Sequence, residues 1–505
     1  MSADLGIKRD WLRVFKSGKG TTMNSKYVYR TVRNFFEYVW IVLVLIETNS
    51  LFKYSVGNNS SDIHDTILNA TRFLLIAMIV CLLLENTKLL STIKEYLPIL
   101  IAVIVLVISF KSLNVSGETQ NVDYVARFCT FLPLACLYFF LLRKNGEHIA
   151  VWYKFSNVVF YFAVLNLLIY VCVVVNPDVL TANVIQTTWS VPARSLCNYY
   201  NFCVVINGLG KYFLGVFLPR NLGIYPEPLM YVIPLLVSLY TELFFSDKEK
   251  IRIGRCIVYS AALISSQSTL GIILLIFSWG LKGMDHYKGK IKIRTLLVFC
   301  AVAFCGCVGL FVFKYIRNQA SFSAHFQDYI YAVKAFLTKP LLGCGYENEE
   351  YIKSFMSEYR RSTNPGLSNS VAVVLAEGGI LFGFVCMVPF LTGIIQIFNK
   401  RSKENKKIAF WTIGCFSLYC VTIFHFHLIL LVMMAFGYSL WEVQKKERGW
   451  KLCLLPEDVI CNENVYVARK IFSKKQWIIS AIGFGSFIIL LMIAKPIWSA
   501  LYGIM

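Results

Sequence analysis

The chain has 505 residues, 57% of them hydrophobic and only 16% charged, with a mean hydropathy of +0.59. Soluble domains carry about 25% charged residues, so this composition excludes a soluble enzyme and predicts an integral membrane protein. The formal charge of +21 would suit nucleic acid if the bases formed a patch. They fall instead in short loops between apolar runs, the pattern of positive-inside topology, and no nucleic-acid partner is expected.

In chain order, the first 34 residues hold Lys8, Arg9, Arg13, Lys16, Lys19, Lys26, Arg30 and Arg33 and no apolar, cleavable leader. They read as a basic cytoplasmic tail, and residues 35–500 as a single transmembrane domain. Apolar runs near the roughly 20 residues needed to span begin near Phe36, Thr66, Tyr96, Val122 and Trp152. An outer segment, 176–226, follows. Runs resume near Glu227, Ile253, Thr295, Val371, Ile408, His427 and Gln476. Loops at 246–255, 282–294, 399–407 and 444–475 are rich in Lys and Arg and read as cytoplasmic, whereas 53–65 and 111–121 carry almost none. The run from Ile253 is basic on both flanks and interrupted by SSQSTLG at 265–271, which predicts two short helices that go out and come back. The expected fold is an all-α polytopic membrane protein of roughly 12–13 transmembrane helices, with two long outer segments, 176–226 and 314–370.

Most of the 16 cysteines lie inside apolar runs, where Cys behaves as a small hydrophobe. No Cys/His spacing suits a metal. Cys197 and Cys203 are the pair that could form a disulfide. The ionisable residues within spans concentrate in the outer third of the membrane: Glu47, Arg72, Arg127, Glu227 and Glu377, with Arg220 just ahead of its span. Charge inside a bilayer is costly, so this layer is the functional candidate, and it faces outside. Arg72 and Arg127 could also snorkel to headgroups or pair with Glu47, which reads as a structural partner. His425 and His427, on a tight outer turn, read as interfacial residues.

Three segments carry the chemistry. In PRNLGIYPEPLMYVIPLL at 219–236, Arg220 and Glu227 flank a Gly-Pro turn before a helix start. A guanidinium offers a planar fork to phosphate oxygens and a carboxylate can accept a proton; a capped, ion-paired helix start is the structural alternative. In SSQSTLG, Ser268 and Thr269 stand at a helix break, where free N–H groups attract anions or Ser and Thr bond back to the backbone. In the third, KPLLGCGYEN leads through a polar linker to SNSVAVVLAEGGILFG. There Gly343 and Gly345 allow conformations closed to other residues.

In this order the segments resemble the O-antigen polymerase and ligase superfamily (the Wzy and WaaL type), with the closest likeness to capsular and exopolysaccharide polymerases. The R-N-x-G-I-x-x-E-P pattern is matched at 220–228, S-T-x-G at 268–271, and P-L-x-G-x-G at 340–345. S-N followed by E-x-G is matched by Ser368, Asn369, Glu377 and Gly379. Two departures stand out. The ligases' histidine near S-N is replaced here by Ser368 or Asn369, and the arginine that many relatives carry before P-L-x-G-x-G by His325, with Arg317 nearby. Both lean toward polymerase.

The resemblance implies a GT-C-like glycosyltransferase of the bacterial cytoplasmic membrane with its site facing the periplasm or outside. It would join undecaprenyl-pyrophosphate-linked repeat units, with no cofactor or metal, among membrane lipids and alongside a flippase and a chain-length regulator. Arg220 is the first candidate for pyrophosphate, with Arg72, Arg127, Arg360 and Arg361 behind it. Glu227 is the first candidate for acceptor activation, followed by His325 and Glu377. Ser268, Thr269, Gly343, Gly345, Tyr346 and Asn369 would line the substrate. A ligase passing glycan to another acceptor and a lipid-linked glycan flippase or exporter are the alternatives; the long outer segments count against a pure transporter.

Overall fold

Apolar chain in a bilayer has to close its backbone hydrogen bonds internally, and the computed structural model is accordingly mostly helical. It describes residues 25–48, 50–54, 60–113, 121–176, 180–187, 194–213, 216–245, 253–286, 319–363, 367, 369–398, 403–422, 426–446 and 449–454. The expected spans near Thr295 and Gln476, the tail up to residue 24, His425 and Ser368, residues 55–59 of the loop at 53–65, and most of the loops at 111–121, 246–255, 282–294 and 444–475 lie outside the described residues.

The remaining expected spans each coincide with a helix. These are α1 (Ser25–Glu47), α2 (Ser60–Glu85), α3 (Leu89–Leu113), a π-helical turn (Val125–Phe131) running into α4 (Leu132–Lys144), and α5 (Ala150–Val175). Then come α6 (Pro228–Tyr240) with a π-helical extension (Thr241–Phe245), α7 (Ile253–Ser265), α8 (Thr269–His286) and α9 (Gln319–Thr338). The short α10 (Glu349–Lys353) and α11 (Glu358–Thr363) precede α12 (Ser370–Ile395), α13 (Lys403–Val421) and α14 (Leu428–Tyr438). Among the described residues six helices, within α2 to α6 and α12, are long and apolar enough to cross a membrane; α7 and α14 are apolar but shorter. Leu97, Ile101, Val105 and Ile108 of α3 are exposed, which is what a lipid-facing helix requires.

The pair α7–α8 goes out and back, as expected from its polar interruption. Arg255 at the start of α7 bonds Glu242 beyond the end of α6 at 2.9 Å, and the Lys282 ammonium near the end of α8 lies 5.8 Å from the Phe244 ring. Between them, Gly271 sits against Val232 at the opposite end of α6.

Two departures from an all-helical chain appear. The segment 176–226 contains an antiparallel sheet, β1 (Asn183–Thr187), β2 (Arg194–Tyr199), β3 (Cys203–Phe213) and β4 (Val216–Asn221), in that spatial order. One buried cluster joins its Leu196, Val204 and Ile206 to Leu51, and another its Tyr199, Cys203 and Val205 to Tyr170 and Val173 of α5. Cys197 pairs opposite Val205 and Cys203 opposite Tyr199, so the two are out of register, and both are free thiols rather than a disulfide. A second hairpin, β5 (Trp441–Lys446) and β6 (Gly449–Leu454), follows α14.

The expected tail also needs correction, because residues 25–34 belong to α1 and Arg33 is buried. Its guanidinium meets Glu147 at 2.6 Å and Glu85 at 3.0 Å, while Arg30 bonds Glu147 and Lys154 of α5 bonds Glu37. Tyr138 of α4 donates to the same Glu37. This network ties α1, α2, α4 and α5 together at the end of the bundle marked by Arg33. Removing one partner of a buried pair leaves the other charge uncompensated, which costs about 3–5 kcal/mol. Arg33→Ala should therefore lower the thermal unfolding midpoint of the detergent-solubilised protein sharply, with Arg33→Lys retaining part of the loss; an unshifted midpoint for the alanine variant would remove the network from the stability account.

Candidate functional site

At the other end of the bundle, marked by Glu47, two of the three sequence segments meet. Arg220 lies on β4, Glu227 occupies the extended position just ahead of α6, and both are half-buried. Pro228 fills the first turn of α6, where a missing N–H does no harm. The turn between Arg220 and Glu227 is pinned from several sides. Asn221 exchanges amide bonds with Asn166 of α5 at 2.7 and 3.1 Å, donates to Ser265 at 2.9 Å, and accepts from the Gly223 N–H at 3.0 Å. Tyr231 donates to Asn166, Tyr170 to the Pro219 carbonyl, and Gln267 of the helix break to the Leu218 carbonyl. Gly223 has φ +63°, and a Cβ there would lie 2.5 Å from the Tyr231 ring, so glycine is required. The break itself is self-capped: Ser268 Oγ accepts from the Gly271 N–H at 3.3 Å, and Thr269 is exposed.

The third segment has a different logic. Helix α12 is broken at Gly379, whose φ of 61° and ψ of −164° are not helical. Such a break deprives the N–H groups of residues 380 and 381 and the carbonyls of residues 376 and 377 of the bonds an unbroken helix would give them. The Pro340–Gly345 stretch supplies all four. Ile380 donates to the Pro340 carbonyl (2.8 Å) and Leu381 to that of Leu341 (3.3 Å), while Cys344 and Gly345 donate to the carbonyls of Ala376 and Glu377 (2.9 Å each). The backbones approach so closely that a Cβ on Gly343 would lie 2.3 Å from the Glu377 carbonyl group, and one on Gly379 would lie 2.4 Å from that of Leu341. Both glycines have positive φ. Glu377 is fully buried beneath this loop. Its Oε2 accepts from the Glu347 N–H at 2.9 Å, and Oε1 has no hydrogen-bond partner. Burial pushes the Cys344 thiol up to about 12, so it is an inert core residue.

Arg127 lies buried beside this loop. Its guanidinium bonds Asp123 at 2.8 Å, Glu47 at 2.8 Å and the Phe426 carbonyl at 2.6 Å. Tyr346 donates to Asp123 at 2.9 Å, and burial pushes its phenol up, which keeps it a donor. The last turn of α1 and the residues just after it connect the two groups of residues: Leu51 donates to the Ile224 carbonyl at 2.9 Å, Tyr225 to that of Leu45 at 3.4 Å, and Glu47 meets Arg127.

The remaining candidates are spread out. Arg72 is half-buried against Asn69 and Thr130. Arg360 forms a buried pair with Asp328 at 2.8 Å, and Arg361 is exposed. His325 belongs to α9, but its side chain lies outside the described residues. That helix falls within the expected outer segment 314–370 and descends along α12, packing Tyr331, Ala332 and Ala335 against Ala372, Val373 and Ala376. Asn369 immediately precedes α12, is fully buried, and has neither amide atom hydrogen-bonded. Sequence reasoning missed the grip of Arg127 and Glu47 on the backbone around His427. No local signal reports it, because the partners lie far apart in the chain.

The sequence matches no protein-family model and no curated protein. Fold and site together define a polytopic helical membrane protein with a polar layer toward one end of its bundle.

Because the loop and the broken helix fit only through glycine, Gly343→Ala and Gly379→Ala should each destabilise the protein. The forced left-handed backbone alone costs roughly 1–2 kcal/mol, with the clash added to it. Thermal unfolding midpoints check this, and an unchanged midpoint for either variant would contradict the packing described.

Proposed function

We propose that this protein is a membrane glycosyltransferase that joins polyprenyl-pyrophosphate-linked oligosaccharide repeat units into a polymer, with the Glu47 end of the bundle facing outside. The observation that carries the reading is the pinned turn from Arg220 to Glu227, bonded to the SSQSTLG break, within a chain whose three segments follow the superfamily's order. A donor of this kind brings its own leaving group and a lipid tail, so its site has to combine cationic donors with access from the bilayer. Arg220 would hold the departing pyrophosphate through paired hydrogen bonds. Glu227, at the far end of the same rigid turn, would place negative charge where the anomeric carbon becomes positive. Arg127 fits the phosphate role less well, since two carboxylates and a carbonyl already occupy its donors. Arg360 has a structural partner in Asp328.

Purified protein incubated with lipid-linked repeat units should give a ladder on a gel. A single shift onto another acceptor would indicate a ligase, and no product would leave transport. Arg220→Ala should abolish the ladder at normal expression, and Arg220→Lys should restore little, because a point-like ammonium does not reproduce the planar fork. A fully active lysine variant would reduce Arg220 to a positive charge.

Orientation has its own check. A cysteine at Tyr346 should become reactive to impermeant maleimide from outside once the loop is opened by denaturant, and one at Lys403 only from the cytoplasm. The opposite pattern would place the site on the other face.

A further inference from the structure

Between α9 and α11 the chain runs down along α12 and comes back up. Its upper end is fixed twice. The Tyr329 hydroxyl donates to the Cys420 carbonyl at 3.2 Å near the end of α13, and Asp328 pairs with Arg360 of α11 at 2.8 Å. The start of α12 meets the end of α13 at this level, where the Ser370 N–H donates to the Thr422 carbonyl at 2.9 Å. From Tyr329, α9 descends about 14 Å to Thr338. The carbonyls of Pro340 and Leu341 then accept from Ile380 and Leu381, just past the break in α12. The chain turns at Gly343, and Cys344 and Gly345 donate to the carbonyls of Ala376 and Glu377, one turn higher. Ile352 and Met356 share a buried cluster with Ala372 and Val373 on the way back, and Arg360 closes the hairpin at Asp328.

Helix α12 sets the depth of the turn. Its 26 residues measure about 39 Å. Centred on roughly 30 Å of hydrocarbon, it places Gly379, about 14 Å below Ser370, roughly 9 Å inside the apolar layer. Pro340 and Leu341 bond residues below Gly379 and reach at least as deep. Non-helical backbone survives there only when its polar groups are met within protein, and the four seam bonds meet them.

The outward side of the hairpin is apolar. Ile330, Val333, Leu337 and Leu341 are exposed, the last two by 67% and 64%, and so are Ile380, Leu381 and Phe384 of α12. The bond from Leu381 to Leu341 joins the two sets into one strip. In water such a strip would be a liability. The polar residues along it are provided for. Thr338 donates to the Ala335 carbonyl at 2.6 Å, and the Lys339 ammonium lies 4.9 Å from the Tyr351 ring. Lys334, one turn below Ile330, is long enough to reach up to headgroups.

We propose that residues 328–360 form a re-entrant segment, with the outward face of α9 and the turn at 340–341 in the leaflet nearer the Glu47 end, against lipid chains rather than water. Lipid hydrocarbon is the occupant because the strip continues down α12 through the exposed Leu391 and Ile395, on a helix long and apolar enough to span. This placement holds whatever reaction the protein performs.

The test is photocrosslinking in native membranes, with a diazirine-bearing amino acid placed singly at Leu337, Leu341 and Phe384. Each variant is first shown to keep the wild-type thermal unfolding midpoint. Mass spectrometry should find lipid-chain adducts as the main product at Leu337 and Leu341, as at Phe384. Water-quenched product prevailing at either of the first two positions would put the hairpin outside the membrane. Crosslinks there to another peptide of this chain, or to a second copy, would mean that protein covers the strip. Either result would overturn the placement.

Discussion

Everything at the Glu47 end depends on how a broken helix is tolerated in an apolar medium. An unpaired backbone N–H or carbonyl in hydrocarbon costs several kcal/mol, and the break of α12 at Gly379 opens four such groups. The Pro340–Gly345 stretch lies into the gap and pairs with all four. This constraint explains why two glycine motifs, far apart in the chain, occur together. Gly343 and Gly379 each remove the Cβ that would keep the other backbone away. It also explains where Glu377 ends up, sealed under the loop rather than open to substrate. That position makes it a poorer proton acceptor than its place in the sequence suggested, because a base has to reach the hydroxyl it serves.

The second break follows the same rule with different parts. Between α7 and α8 the freed groups are met locally, by the Ser266 and Ser268 hydroxyls, and Gln267 reaches out to β4. At the start of α14 the freed groups are met by charged side chains instead, Glu47 on an N–H and Arg127 on a carbonyl. The three interruptions therefore differ in rigidity and in chemistry. Backbone on backbone makes a permanent seam, hydroxyls make a self-contained kink, and an ion pair holds the backbone on both sides of one residue, His427.

Much of this was legible in the sequence, and the limits have physical causes. Hydropathy located the helices, because a spanning segment has to be apolar along its length. Gly, Ser and Pro marked the breaks, because their conformational and hydrogen-bonding properties act within a few residues. The two-helix reading of the run after Ile253 rested on such local signals and matches the structure. The sheet at 183–221 did not announce itself, since its core is shared with α5 and Leu51, which are distant in the chain. Arg33 looked like one more base in a cytoplasmic tail, because its partners Glu85 and Glu147 are distant in the chain. The same holds for Arg127 and Phe426.

The two ends of the bundle use charge in different ways. At the Arg33 end, Arg30, Arg33 and Lys154 meet Glu37, Glu85 and Glu147, so the signs balance. Such a network acts as a clamp, although not every buried polar atom in it is satisfied: Arg33 Nε has no hydrogen-bond partner. At the Glu47 end Arg127 meets Glu47 and Asp123, Glu377 has a carboxylate oxygen without a hydrogen bond, and the Asn369 amide is buried with neither atom bonded. Native proteins satisfy nearly all such groups. Unsatisfied atoms occur at both ends of the bundle; those at Glu377 and Asn369 lie on or just ahead of the broken helix α12, where the backbone interruption adds to the polar groups that have to be met.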